Sequence, residues 1–181
     1  MTNEAPAHSK PSGLKTGKAA AIFAIVAVVV VVFDRLTKVW AEASIPPEGL
    51  DFIPGFIGFR LVHNKGASFG MLEGAQVFFI VMSVVICVAL LIYLVRYKRH
   101  TAFESAVLGL IFSGAIGNAC DRLFYGQVTD FLNFEFFSFP VFNVADCAIT
   151  IGIVCWAIFI VFSKNSPFAG DGKRGENASS R

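Results

Sequence analysis

Residues 75–95 read AQVFFIVMSVVICVALLIYLV, 21 positions without a single charge. About 20 apolar residues in a helix cross the roughly 30 Å of hydrocarbon in a bilayer, so this stretch spans a membrane unaided. Three more uncharged runs flank it: Ala19 to Phe33, Ser105 to Cys120 and Cys147 to Phe162. These hold only 15 or 16 residues each, so each must draw polar neighbours into its helix to reach across. Asp34 follows the first run, Asp121 follows the third, and Asp146 precedes the fourth. The predicted spans are therefore residues 18–38, 75–95, 102–122 and 144–163, within a membrane domain over 18–163.

Composition agrees with that reading. The 181 residues are 55% hydrophobic and only 15% charged, with a mean hydropathy of +0.66, too apolar for a soluble domain of this size. Residues 1–17 and 164–181, rich in Ser, Gly, Pro, Asn and Lys, read as solvated tails. The fold class expected is an all-α membrane protein with four transmembrane helices.

Charge sets the orientation. Lys10, Lys15 and Lys18 precede the first run; Arg96, Lys98 and Arg99 separate the second and third; Lys164, Lys173, Arg174 and Arg181 follow the fourth. Arg35, Lys38, Arg60, Lys65 and Arg122 remain for the other side. The positive-inside rule then places both termini in the cytoplasm. In that topology Asp34, Asp121, Asp146 and the loop residue Asp130 all gather at the extracytoplasmic face. Ionisable groups at a membrane edge are costly unless paired or wet, and so point to function.

Basic residues, an apolar run and Ala41-Glu42-Ala43 imitate a cleaved secretory signal, but Asp34, Arg35, Lys38 and Glu42 intervene before the supposed cut. Cys87 and Cys155 lie in mid-span, where a thiol is a small packing residue. Cys120 and Cys147 both reach the outer edge, where an oxidising compartment would permit a disulfide. Neither Cys-x-x-Cys nor His-x-x-x-His spacing occurs, so no metal site is expected. No dinucleotide or phosphate loop is present, which leaves no cofactor and no nucleic acid among the expected ligands.

The connections carry their own signals. Pro46-Pro47 terminates the first helix, and Phe59-Arg60-Leu61-Val62-His63 followed by Asn64-Lys65-Gly66 reads as strand then turn. A small extracytoplasmic β element follows. Phe131, Phe134, Phe136, Phe137, Phe139 and Phe142 crowd around one acid, Glu135; that stretch is too short to span and too apolar to float, so it should lie in the interface. Gly109, Ser113 and Gly117 recur every four residues and form a smooth stripe for helix contact.

Asp34 and Lys38 are four apart and face the same way as a helix-end ion pair or a brace for the bundle. Asn118, Asp121 and Arg122 form a helix-terminal group, with the cation suited to a helix C-terminus. Asn143-Val144-Ala145-Asp146 has the form of a capping arrangement at the start of the fourth span. Asp130, after Gly126-Gln127-Val128-Thr129, belongs to no periodic helix. Two carboxylates held close cannot both ionise; sharing one proton, they can activate a water and protonate a carbonyl oxygen. Physics alone leaves open which two of the four aspartates form such a pair.

Five blocks in order resemble those of bacterial lipoprotein signal peptidase, also called signal peptidase II. They are Asp34-Arg35-Leu36-Thr37-Lys38, His63-Asn64-Lys65-Gly66-Ala67-Ser68-Phe69-Gly70, Gly117-Asn118-Ala119-Cys120-Asp121-Arg122, Gly126-Gln127-Val128-Thr129-Asp130-Phe131 and Phe142-Asn143-Val144-Ala145-Asp146. The resemblance covers residues 18 to 163. It implies an aspartic endopeptidase of the bacterial inner membrane, multi-pass and monomeric, with its active site near the extracytoplasmic face. Such an enzyme removes signal peptides from diacylglyceryl-modified prolipoproteins, cutting before the lipobox cysteine, and works among membrane lipids. By similarity the catalytic dyad falls on Asp130 and Asp146. Supporting residues fall on Asp34, Lys38, Asn64, Gly114, Asn118, Arg122 and Asn143, and a structural role falls on Asp121. The family fold adds a small β cradle and an interfacial helix to the four-helix bundle.

A substrate whose signal helix and lipid both sit in the bilayer must meet water at the interface, which puts the dyad at helix ends. The Phe-rich connection would then lie over it like a lid. A proton-coupled transporter component is the competing reading, and predicts acids at mid-membrane on broken helices; here all four aspartates fall at one face. A third reading is a non-catalytic assembly factor whose polar blocks only cap and pack helices.

Overall fold

The computed structural model describes residues 13–66, 74–97 and 99–162. Residues 1–12 and 163–181, with Lys10, Lys164, Lys173, Arg174 and Arg181, lie outside the described residues, as do Lys98 and the Ala67–Gly70 part of the second block. In order come β1 (Leu14–Lys15), α1 (Thr16–Ser44), β2 (Leu50–Ile53), β3 (Ile57–Asn64), α2 (Gln76–Arg96), β4 (Arg99–His100), α3 (Ala102–Tyr125), β5 (Val128–Phe134) and α4 (Val144–Phe162). The four helices are each long and apolar enough to cross a membrane, and the fold is a helical membrane bundle with a small antiparallel sheet.

The helix α3 is the axis of the bundle. Its most apolar window is 61% buried, against 17–22% for the other three, whose outward faces present Val28, Val29, Val85, Ile92, Ile153 and Ile158. Small residues make that central position possible. A Cβ on Gly109 would stand 2.9 Å from the Phe23 carbonyl of α1, and one on Gly117 would stand 2.8 Å from Asp34 Oδ2. On the opposite flank, a Cβ on Gly114 would fall on the Ala145 carbonyl of α4. The stripe is therefore a packing surface on two sides, and Gly114 sets how closely the first turn of α4 approaches.

Helix α1 extends past the expected 18–38 at both ends. At its far end Ile45 N–H closes on the Ala41 carbonyl at 3.1 Å, and the two prolines that follow cannot continue the ladder. The extra turn matters, because it carries Ala41, which is fully buried beside Ile45 and Phe131. Trp40 sets its ring edge-on against Phe59, 5.1 Å between centroids. These contacts seat the three-stranded sheet, in the order β2-β3-β5, on the end of α1.

Residues 14–17, read from sequence as part of a solvated tail, are instead ordered. Leu14 pairs with His100 and Lys15 with Arg99, and Leu14 packs against a core that includes Phe23, Leu94 and Leu108. Beneath them His100 is buried, with Nδ1 3.1 Å from Glu104 Oε2 and Nε2 3.0 Å from the Leu94 carbonyl. Thr101 caps α3, its Oγ1 accepting from Glu104 N–H at 3.0 Å, and Phe103 meets Phe159 at 6.0 Å. The start of α3 and the end of α4 thus lie together, opposite the sheet.

The Phe-rich connection contains a strand and not the interfacial helix that the family resemblance implied. Val128–Phe134 is the third strand of the sheet, and Phe131 is 2% exposed. Both Phe131 and Leu132 N–H groups donate to the Phe142 carbonyl, at 3.0 and 2.8 Å. Only Phe136, Phe137 and Phe139 still face outward. Among the described residues no helix lies between α3 and α4; the backbone there is already engaged with Phe142, and Pro140 cannot donate to a helical ladder.

Candidate active site

The start of α4 is held by a reciprocal cap. Asn143 Oδ1 accepts from Asp146 N–H at 3.0 Å, while Asp146 Oδ2 accepts from Asn143 N–H at 3.0 Å. This is the capping arrangement read from sequence, and it aims the Asp146 carboxylate back across the helix end. Its other oxygen, Oδ1, accepts from Asn118 Nδ2 at 2.7 Å. Asn118 projects from α3 about two turns before Gly126, whose left-handed φ of 69° ends that helix.

Asp130 reaches the same place from β5. Asn143 Nδ2 donates to its Oδ1 at 2.6 Å, and Asn64 Nδ2 from the end of β3 donates to its Oδ2 at 2.9 Å. Asn64 is itself fixed by Gly66 N–H, which donates to Asn64 Oδ1 at 2.9 Å. Asn143 also donates to Asn118 Oδ1 at 3.1 Å. One buried asparagine side chain therefore touches the backbone of one aspartate, the carboxylate of the other, and the amide between them. Asp130 is 2% exposed. Burial first, and then the Asp146 carboxylate, push its pKa up from 3.8 to about 6.

A layer of ion pairs braces this arrangement from α1. Lys38 is 1% exposed, and its Nζ lies 2.8 Å from Asp34 Oδ2, 2.8 Å from Asp121 Oδ2 and 3.1 Å from Asn118 Oδ1. Asp34 Oδ1 accepts from Ala145 N–H at 2.9 Å, satisfying a free amide in the first turn of α4. Asp121 is also met by Arg35 at 3.3 Å, and Arg35 donates to Tyr125 Oη at 2.6 Å. Asp121 and Asp34 thus face the same ammonium, one on the side of Arg35 and the other on the side of α4.

Arg122 closes the far side. It donates to the Gly66 carbonyl at 3.0 Å and the Asn118 carbonyl at 3.3 Å, with its guanidinium over the Phe79 ring at 4.7 Å. Asp130 and Asp146 both line a cavity of 520 Å³. Part of its wall is apolar, built from Phe79, Phe139, Val141, Ile149 and Ile151. Two carboxylates facing an apolar cleft can polarise a water against an extended chain lying along that wall. Cys120 and Cys147 stand as free thiols, so the outer edge is not joined by a disulfide.

All nine of the residues expected to act or support, together with Asp121, lie in this one region. Sequence reasoning passed over Glu42, His63 and Thr129. Glu42 Oε1 lies 2.8 Å from His63 Nε2 and accepts from Thr129 Oγ1 at 2.8 Å. The i, i+4, i+8 spacing of Asp34, Lys38 and Glu42 was the available signal.

Four membrane-length helices around a buried carboxylate and amide cluster, open to an apolar cleft, define a multi-pass membrane enzyme. Solved structures agree: one bacterial membrane enzyme superposes with a TM-score of 0.74 at 29% identity, over 87% of this chain and 95% of its own. A second superposes with a TM-score of 0.72 at 29% identity, over 86% and 99%. A family model described as signal peptidase (SPase) II matches residues 26–162. The chain is similar to the lipoprotein signal peptidase of Enterococcus faecalis, 32% identical over 86% of this chain and 96% of that protein. It is also 39% identical to that of Gloeobacter violaceus, over 75% and 79%. The chain belongs to the signal peptidase II family, and is a peptidase.

Proposed function

We propose that this chain removes the signal peptides of prolipoproteins, cutting before the diacylglyceryl-modified lipobox cysteine, with Asp130 and Asp146 as an aspartate dyad. The observation that carries this reading is the shared asparagine frame: Asn143 and its neighbours hold the two carboxylates toward one cavity. Asp130, whose pKa stands at about 6, carries the proton of the resting pair. Asp146 takes a proton from water as it attacks the scissile carbonyl, while Asp130 gives its proton to the carbonyl oxygen. Collapse of the tetrahedral intermediate then returns a proton to the leaving amine, with the pair as donor. The signal helix lies along the apolar wall, and Phe139 covers it.

Asp34, Lys38, Asn64, Gly114, Asn118, Arg122 and Asn143 position the dyad or the substrate, and Asp121 anchors Lys38. The membrane is the bacterial inner membrane, with both termini cytoplasmic and the site near the extracytoplasmic face; the enzyme acts as a monomer, without metal or cofactor. Lys15, Lys18 and Arg96 all lie at the end of the bundle opposite the dyad, in keeping with that orientation.

The purified full chain in defined micelles is expected to cleave a diacylglyceryl-modified prolipoprotein and to leave the unmodified precursor intact. Failure to cleave the modified form would end this reading. A second expectation concerns pH. Asp130 must be protonated to act as the acid, so kcat/KM should fall as pH rises through about 6 and fall again in acid as the second carboxylate protonates. A profile flat from pH ~4 to ~8 would contradict a shared-proton pair.

A further inference from the structure

We propose that Glu42, with His63 and Thr129, is a positioning device for Asp130: a single carboxylate oxygen on the last turn of α1 sets the place of the two strands that deliver Asn64 and Asp130. The inference rests on the peptidase reading and extends it to three residues outside the cavity.

His63 and Thr129 are partners in the β3–β5 register, and each immediately precedes one member of the Asn64–Asp130 hydrogen bond. Side chains alternate along a strand. The pair held by Glu42 therefore lies on the face away from the dyad, while the next residue on each strand turns toward it. Glu42 Oε1 sits 2.8 Å from both His63 Nε2 and Thr129 Oγ1, joining the strands through one acceptor.

The same helix face locates the other carboxylate. Asp34, Lys38 and Glu42 follow at intervals of four, on one side of α1. Asp34 holds the Ala145 N–H beside Asp146 at 2.9 Å. Lys38 holds Asn118 at 3.1 Å, and Asn118 donates to Asp146. Glu42 holds the strand pair that leads to Asp130. One helix is thus the common reference for two carboxylates that come from different elements, 16 positions apart in sequence.

The contact is weak as a stabiliser, since the His63 and Glu42 side chains are each 42% exposed and such pairs contribute little to folding. Turnover is far more sensitive, because misplacing a reacting group by about 1 Å costs on the order of 100-fold. Loss of Glu42 should therefore appear in kcat and not in the melting curve.

The full chain in micelles, assayed on a diacylglyceryl-modified prolipoprotein, provides the test. Glu42→Ala is expected to lower kcat about tenfold with KM changed less than about twofold. Glu42→Gln keeps the accepting oxygen and should recover most of the rate. Thr129→Val should lower kcat in part and add nothing to Glu42→Ala, since both remove one shared contact. Asp51→Ala, which breaks the exposed pair with Arg60 elsewhere on the sheet, should leave kcat unchanged. An unaltered kcat in Glu42→Ala, a loss confined to KM, equal losses in the Ala and Gln variants, or additivity with Thr129→Val would each overturn the proposal. If the wild-type chain fails to cleave, the peptidase reading falls and this inference falls with it; an active wild type with an equally active Glu42→Ala variant removes only the inference.

Discussion

Asp130→Asn and Asp146→Asn are each expected to lower prolipoprotein turnover by about 1,000-fold or more, the range lost when a positioned acid or base is removed. Uncleaved, lipid-modified precursor should accumulate in cells that carry either variant. Because the two carboxyls act as one unit, the double variant should be hardly worse than either single one. Wild-type rates in either variant would refute the dyad. Folding supplies the control. A buried carboxyl whose pKa is raised from 3.8 to about 6 contributes stability that is complete below the unfolded value and lost as pH climbs through the folded one. The amount is roughly 3 kcal/mol. Asp130→Asn cannot titrate at that position, so its stability should fall less than the wild type's between pH ~4 and ~6 while its helical signal stays intact. Denaturation curves for both proteins on either side of this window would show the difference.

Lys38→Met should be the most damaging substitution for folding. The ammonium is 1% exposed, and the carboxylates it separates, Asp34 and Asp121, are 2% and 3% exposed. Removing it leaves two buried acids without their shared cation, and breaking a buried pair in this way costs about 3–5 kcal/mol. Asp121 keeps Arg35, 3.3 Å away, so Asp34 is the more exposed to the loss. Adding Asp34→Asn to Lys38→Met should therefore recover part of the stability, and adding a substitution at Asp51 should recover none. Thermal unfolding in micelles measures both. A Lys38→Met protein that melts with the wild type would mean that the two acids are held without help from the ammonium.

The membrane spans were legible because nothing charged interrupts residues 75–95, and because an aspartate stands at the end of each shorter run. The same arithmetic brought Asp34, Asp121 and Asp146 to one face, where the structure has them around Lys38 and Asn118. Asp130 was harder. Val128 and Asp130 are two apart and both buried, which is strand periodicity, but the crowd of phenylalanines that follows hid it. Their hydrophobicity said only that water is avoided, whereas the pairing of Phe142 with Leu132 depends on which backbone groups lie free nearby. Glu42 was missed for a different reason: between Ala41 and Ala43 it looked like part of a false cleavage site, and its partners His63 and Thr129 are 21 and 87 positions away. Contacts of that reach follow from the docking of a sheet on a helix end, which no local pattern encodes. Asn143 and Asp146 were read correctly as a cap, a reading compatible with the proposed dyad.

Asp146 caps α4 and is one half of the proposed dyad, and that pairing of roles bears on how this protein could escape an inhibitor. A compound that hydrogen-bonds to the Asn143 and Asp146 side chains competes for the same atoms that begin α4. A substitution that spoiled the compound's grip there would also weaken the cap that begins the helix, by about 1 kcal/mol, and alter the proposed dyad or the asparagine that holds it. Substitutions expected to weaken such a compound at least cost to the protein are on the greasy part of the cleft, at Phe79, Phe139, Val141, Ile149 or Ile151, where a change of shape leaves the cap untouched. A ligand that draws its affinity from the amide frame, and as little as it can from those five side chains, leaves the protein the fewest ways out.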